Sequence, residues 1–233
     1  MTKAGAPEDG RSERQLPLDL PTTPRFGREE FLPAPSNRAA LDMIERWPDW
    51  PDRVLTLIGP KGAGKSHLCA IWAARTGALA IAPDRLPTLE RLAEEAPHAI
   101  LIDDVDRASD ETALFHLLNF VSESDACLLM SAARAPRAED VRLPDLLSRL
   151  RRAPAVGIGA PDEELIRAVL VKLFADRQLI VESPALAFAA LRLERSLDAA
   201  RSFAAALDRE ALAEGRPVTR ALAAKVMEKF IKE

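Results

Sequence analysis

The chain has 233 residues, with 48% hydrophobic and 5% aromatic side chains, no tyrosine, and a formal net charge of −4. That length holds one large domain, or a domain with a smaller appendage, whose core must come mostly from Leu, Ala, Val and Ile. The acidic balance argues against nucleic-acid binding through bulk charge, and no apolar run approaches the ~20 residues of a membrane span.

Residues 1–24 are polar and proline-rich and read as a tail with little to bury. The tail lacks the apolar run of a secretion signal, which makes the cytoplasm the expected location. "SNRAALDMIERW" (Ser36 to Trp47) opens on a capping serine and carries Ala40, Met43, Ile44 and Trp47 at helical spacing. "PDWPDR" breaks the chain. "VLTLIG" (Val54 to Gly59) is an apolar run ending in glycine, the pattern of a buried strand. "KSHLCAIWAART" (Lys65 to Thr76) predicts a helix stopped by Gly77, and "ALAIA" (Ala78 to Ala82) a second strand. A short helix over Thr88 to Ala96 leads to the strand "AILIDD" (Ala99 to Asp104). The amphipathic helix "DETALFHLLNFVSES" (Asp110 to Ser124), the strand "CLLMS" (Cys127 to Ser131), the helix "LPDLLSRLRR" and the strand "AVGIG" follow.

Strands alternating with helices through residue 159 imply a parallel sheet covered on both faces. From Pro161 onward the pattern changes to four successive helices: "PDEELIRAVLVKLFADRQ", "SPALAFAALRL", "SLDAARSFAAALDREALAEG" and "VTRALAAKVMEKFIKE". The three histidines are scattered and the two cysteines, Cys69 and Cys127, form no CxxC pair. Both thiols read as buried core groups of a reducing compartment.

The strongest motif is "GPKGAGKS": Gly59, Pro60, Lys61, Gly62, Ala63, Gly64, Lys65 and Ser66. It fits G-x-x-x-x-G-K-[ST] and lies between a strand and a helix, the context a phosphate-binding loop needs. Its glycines let the backbone close round phosphate oxygens, with amide N–H groups and the helix N-terminus facing that negative charge. Lys65 can then reach the β- and γ-phosphates, and Ser66 can ligate Mg²⁺. Downstream, Asp103 ends an apolar strand, where a Mg²⁺-dependent nucleotide site places a carboxylate. Asp104 follows, in reach of an attacking water.

"GKSHL", "ILIDD", "LPDLLSRL" and the helical C-terminal part together resemble the AAA+ module of bacterial DnaA-type proteins, and among these the regulators homologous to DnaA. The likeness runs from Gln15 to the C-terminus and rests on the order and spacing of the motifs. It implies an α/β fold: an AAA+ P-loop domain over residues 25–159, its parallel sheet sandwiched by helices, followed by an all-helical lid over 160–233. It implies ADP or ATP with Mg²⁺ in the phosphate loop, the metal held by Ser66 and Asp103 through the nucleotide. His67 and Asn37 would border that nucleotide, and Arg201 in "ARSFAAALD" would touch it as the lid arginine. Arg149 in "LPDLLSRL" would be an arginine finger acting in trans on a neighbouring subunit, a role worth about 10³ to 10⁵ in rate. Ser131 stands near the position of a nucleotide-sensing polar residue. Ala132 replaces the polar residue that DnaA often carries just after it, so weak or no hydrolysis by the chain itself is implied.

"QLPLDL" then acquires a meaning. It resembles the Q-L-x-L-x-L motif that binds the sliding clamp, the β subunit of DNA polymerase III. Pro17 biases its neighbours toward an extended form, Leu16, Leu18 and Leu20 offer apolar contacts, and Gln15 anchors by hydrogen bonds. The partners implied are the clamp and DnaA, with self-association open. Initiators continue into a DNA-reading domain, and Lys225, Lys229 and Lys232 read as a solvated helix face, so no direct sequence-specific DNA contact and no membrane are expected. The function implied is promotion of ATP hydrolysis on DnaA, restraining replication initiation. Two other readings stand beside it: an autonomous AAA+ ATPase such as a helicase loader or transposition helper, and a non-catalytic clamp-binding adaptor.

Overall fold

The apolar runs become parallel strands, the three central ones buried along most of their length and the two edge ones partly exposed. In the computed structural model, which describes residues 26–214 and 217–230, they are β1 (Val54–Ile58), β2 (Leu79–Ala80), β3 (Ala99–Ile102), β4 (Cys127–Ala132) and β5 (Ala155–Gly157). They form one sheet in the order β2-β3-β4-β1-β5, with every neighbouring pair parallel. β1 pairs along its whole length with β4, from Val54 opposite Leu128 to Ile58 opposite Ala132. β2 is shorter than its five apolar residues suggest. It lies at the edge with β3 as its one partner, and Pro83 follows two residues after Ile81.

Alternation along the strands sorts side chains to two faces. Leu55, Leu57, Leu101 and Leu129 face α1 (Arg38–Arg46) and α2 (Lys65–Thr76), where Leu41, Ile44, Leu68 and Trp72 complete one core. Ile100, Ile102, Leu128 and Met130 face α3 (Leu89–Glu95), α4 (Glu111–Glu123) and α5 (Pro144–Arg152), meeting Leu92, Leu117, Val121 and Leu146. Caps fix where the helices start: Asp110 Oδ1 accepts from the Ala113 N–H at 2.9 Å, and Thr88 Oγ1 from the Arg91 N–H at 3.4 Å. Ser36 does not cap α1 as its position suggests. A turn over residues 35–37 brings Asn37 to the helix start, and Ser36 Oγ is buried without a partner among the described residues.

The last four helices, α6 (Glu163–Asp176), α7 (Ser183–Arg192), α8 (Leu197–Glu214) and α9 (Arg220–Phe230), enclose a separate core around Leu170, Phe174, Phe203, Leu207 and Val226. An isolated parallel bridge between Val181 and Val218 joins the segments leading into α7 and α9. The chain before α1 spans both cores. Phe31 packs into the α1–α2 core, whereas Leu32 and Ala34 pack against the helical one. Glu30 pairs with Lys172 of α6 at 2.5 Å. No helix among the described residues is long and apolar enough to cross a membrane.

Candidate functional site

β1 delivers the chain into the loop Gly59–Ser66, and α2 leaves it. The loop is left-handed at Gly62 (φ +73°) and Gly64 (φ +106°), the latter sitting at the N-cap of α2. An L side chain is strained in that region, so the glycines are required by the turn. Gly59 is required by packing instead: a Cβ there would lie 2.3 Å from the Ile158 carbonyl oxygen. Lys65 is buried, with its ammonium donating to the Gly59 and Pro60 carbonyls at 2.9 and 3.2 Å. The loop therefore holds a positive charge against its own backbone, with no carboxylate among the described residues within ion-pair distance. Ser66 is exposed on the first turn of α2.

Strand alternation sends Asp103 and Ser131 to the same side as α2. Ser131 is fully buried, and its hydroxyl donates to the Asp103 carboxylate while accepting from the Asp104 N–H at 2.9 Å. One hydroxyl thus fixes the Asp103 carboxylate and the backbone at Asp104 just beyond β3. Asp104 itself turns the chain with a left-handed φ of +56°. Ala132 belongs to the opposite face and packs into the core under α4 and α5. The polar group next to Asp103 is thus Ser131, and Ala132 removes nothing from this corner. Cys69 on α2 is buried here. Desolvation pushes its thiol well up, and the neighbouring Asp103 carboxylate adds to the effect. Cys127 is only half-buried, which departs from the expectation of two fully buried thiols. Oxygen donors from Ser66 and Asp103 suit a hard divalent cation. No cluster of three His, Cys, Asp or Glu among the described residues could hold a metal alone, so a cation at this corner would need phosphate oxygens or water as further ligands.

Beside the loop lies a cavity of about 550 Å³, bounded by the segment before α1, by α2, and by α6 and α8. Asn37, His67 and Arg201 all line it. Asn37 is buried and spends both ends of its amide on backbone: Oδ1 accepts from the Ala34 N–H at 2.8 Å, and Nδ2 donates to the Leu32 carbonyl at 3.1 Å. It shapes the wall. His67 sits edge-on to Phe26 and Phe31, and its Nε2–H donates to the Gly27 carbonyl at 3.0 Å. Burial holds the imidazole below its usual range. The Gly27 carbonyl pulls the other way, and the Arg201 guanidinium adds to the depression. Arg201 donates to Asp198 at 2.6 Å and lies 6.0 Å from the Phe26 ring.

The helical unit touches the phosphate loop directly. The Leu197 N–H donates to the Gly62 carbonyl at 2.8 Å, and a Cβ on Gly62 would come within 2.0 Å of Ser196 Oγ. No local sequence signal marks Ser196, Leu197, Phe26 or Phe31 for this place, because packing alone brings them there.

Arg149 stands apart. It is exposed on α5, in the helix layer across the sheet from α2, and its guanidinium lies 5.2 Å from the centre of the Phe115 ring. No carboxylate pairs with it among the described residues. Glu111 anchors the start of α5, accepting from the Arg142 and Leu143 N–H groups at 3.0 and 2.9 Å. Lys225 and Lys229 are exposed and pair with Glu210 on α8, at 3.2 and 2.6 Å. The motif residues Gln15, Leu16, Leu18 and Leu20 lie outside the described residues.

No protein-family model and no curated protein matches this chain. Solved structures do. Domain III of the replication initiation protein DnaA from Thermotoga maritima matches with a TM-score of 0.75 and 21% identity, over 92% of this chain and all of that domain. AMPPCP-bound DnaA from Aquifex aeolicus matches with a TM-score of 0.65 and 16% identity, over 78% of this chain and 64% of that one. A variant of RuvB from Thermotoga maritima gives 0.63 and 17%, over 82% and 66%. At these identities the likeness is one of fold: a parallel sheet between helix layers with a helical unit behind it, the AAA+ arrangement that DnaA and RuvB share.

Proposed function

We propose that this chain is a nucleotide-binding AAA+ regulator of the Hda type, acting on DnaA from the sliding clamp. The observation that carries the reading is the separation of two parts. Asn37, His67 and Arg201 line one cavity, with His67 directly after the phosphate loop and Leu197 bonded to Gly62, whereas Arg149 is exposed on the opposite helix layer with its charge unpaired among the described residues. An arginine so placed suits a neighbour's nucleotide site.

In this reading the amides of Gly62–Ser66 and the Lys65 ammonium receive the phosphates of ADP or ATP, and the cavity beside them takes the base and sugar. The left-handed glycines and the buried ammonium fit such a ligand, and the oxygen donors of Ser66 and Asp103 fit its Mg²⁺. Bound nucleotide crosses from α2 to α8, and so holds the helical unit in one orientation. Gln15, Leu16, Leu18 and Leu20 tether the chain to the DNA-loaded clamp, raising its effective concentration near replicating DNA. Arg149 enters the ATP site of DnaA and stabilises charge on the transferring phosphoryl group.

A second reading, an autonomous ATPase, draws support from the intact Asp103–Ser131–Asp104 corner, since those groups are the ones hydrolysis would use. Hydrolysis of DnaA-bound ATP, measured with this protein, ADP and clamp loaded on DNA, separates the two. Stimulation that is lost in Arg149→Ala and in the Gln15/Leu16 double alanine variant supports the regulator. In the first variant clamp binding persists, and in the second nucleotide affinity persists. Turnover of free ATP by the protein alone, with no effect on DnaA, supports the ATPase instead.

A further inference from the structure

A second cavity, of about 280 Å³, lies on the face of the sheet opposite α2, between β1 and β4 on one side and α4 and α5 on the other. Its body is apolar, built by Leu114, Met130, Ala132, Leu146 and Leu150. Thr56 interrupts it. Strand alternation turns Thr56 to this face, away from Leu55 and Leu57, and the β1–β4 register sets it beside Met130. Thr56 is 7% exposed, and its Oγ1 is buried with no hydrogen-bond partner among the described residues. A buried hydroxyl left without a partner is costly. The mouth carries three acids, Asp106, Glu111 and Asp140, and one base, Arg134. Asp140 accepts from both terminal nitrogens of Arg134, one of them at 2.6 Å. Asp106 accepts from the Ala133 N–H at 3.1 Å, and Glu111 holds the Arg142 and Leu143 N–H groups. The one guanidinium is thus already paired, and two carboxylates remain in excess.

From the orphan hydroxyl and the acidic mouth we infer that this cavity binds a small uncharged molecule with an apolar body and one hydroxyl group. A cavity of about 150 Å³ takes benzene, so this one has room for a single ring with a short alkyl substituent, roughly ten non-hydrogen atoms. The Thr56 hydroxyl can donate or accept, and one rotamer step about χ1 presents it to a guest that enters. An anion would meet the excess of carboxylates and find Arg134 taken. A cation would give up its hydration to an apolar body whose nearby acids are held by Arg134 and by backbone N–H groups. Leu146 and Leu150 flank Arg149 on α5, so a guest in contact with them braces the helix that carries it. The site lies across the sheet from α2 and needs no nucleotide.

Titration of the full chain with 4-propylphenol, propylbenzene and 4-propylbenzoate, followed in protein NMR spectra, tests this. 4-Propylphenol should give saturable shifts at Thr56, Met130, Ala132 and Leu146. 4-Propylbenzoate, of similar size but negatively charged, should bind at least about fivefold more weakly. Thr56→Val keeps the shape of the side chain and removes the hydroxyl. It should lower the affinity for 4-propylphenol relative to propylbenzene by about fivefold, the size of one hydrogen bond, and raise the melting temperature of the free protein by a few degrees. Ala132→Leu fills the cavity and should abolish binding of both. Absent shifts, or shifts confined to other parts of the chain, overturn the site. An unchanged affinity ratio in Thr56→Val, or benzoate binding as tight as that of the phenol, overturns the ligand class inferred from Thr56 and the mouth.

Discussion

The phosphate-loop corner and the Arg149 helix are built on opposite principles. At the corner the buried polar groups are committed: Lys65 to two carbonyls, Ser131 to the Asp103 carboxylate and the Asp104 N–H, His67 to Gly27, Asn37 to two backbone groups, and Gly62 to the first turn of α8. Most of these groups are buried, and the backbone is held at left-handed angles. On α5 the core contribution comes from Leu146 and Leu150, while Arg149 rests on the Phe115 ring in solvent. A site that must hold a shape is cross-braced. Arg149 is left at the end of a long side chain, on a helix fixed at its base by Glu111 and Pro144. The difference teaches where a substitution is felt in the fold: at the corner as lost stability, at Arg149 on α5 with the fold left intact.

The largest effect is expected at Gly62. Valine there meets both the left-handed φ and Ser196, and should cost roughly 2–4 kcal/mol in urea unfolding. Faster amide exchange in α8 should accompany it, because the Leu197 hydrogen bond is lost. If Gly62→Val left stability unchanged, the corner would not be braced through the helical unit. Ser131→Ala comes next, at about 1–3 kcal/mol, because it strands the Asp103 carboxylate and the Asp104 N–H together. A smaller loss, with Asp103→Ala matching it and no additivity in the double variant, would point to a hydroxyl that follows the acid.

The third prediction concerns pH. The folded state holds the His67 imidazole below its usual range, so between the unfolded value near 6.5 and the lower folded one the unfolded chain binds the extra proton. Stability therefore rises with pH through that window and is lost as pH falls below about 6.5. His67→Gln keeps a donor for Gly27 and should flatten the dependence between pH 7.5 and 5.5, read from urea midpoints. A slope equal to that of the unaltered chain would assign the effect elsewhere. Arg149→Ala is the smallest. Only the stacking on Phe115 goes, at about 0.5–1 kcal/mol or less, while the stimulation of DnaA proposed above should vanish. A large drop in melting temperature for this variant would erase the contrast between the two regions.

Much of this was legible in the residues. Buried strands were readable as apolar runs, the phosphate loop as a spacing of glycines with Lys65 and Ser66, and Asp103 as an acid at a strand end. Helices were readable over the spans that begin at Asp110 and Thr88, which the structure shows to be their caps, whereas Ser36 misled because its turn brings Asn37 to the helix start. These are local properties: backbone strain, periodicity and capping act within a few residues and leave their mark on composition. What only the tertiary structure decided is which distant groups meet. Nothing near Ser131 says that it will lie beside Asp103, nor near Ala132 that it will face away, until the pairing of β3 with β4 sets the register. Nothing near Gly62 announces Ser196, and nothing near Arg201 announces Phe26. Those meetings follow from how α8 and the segment before α1 pack across two separate cores, and packing energy is spread over many weak contacts that no short stretch of sequence contains.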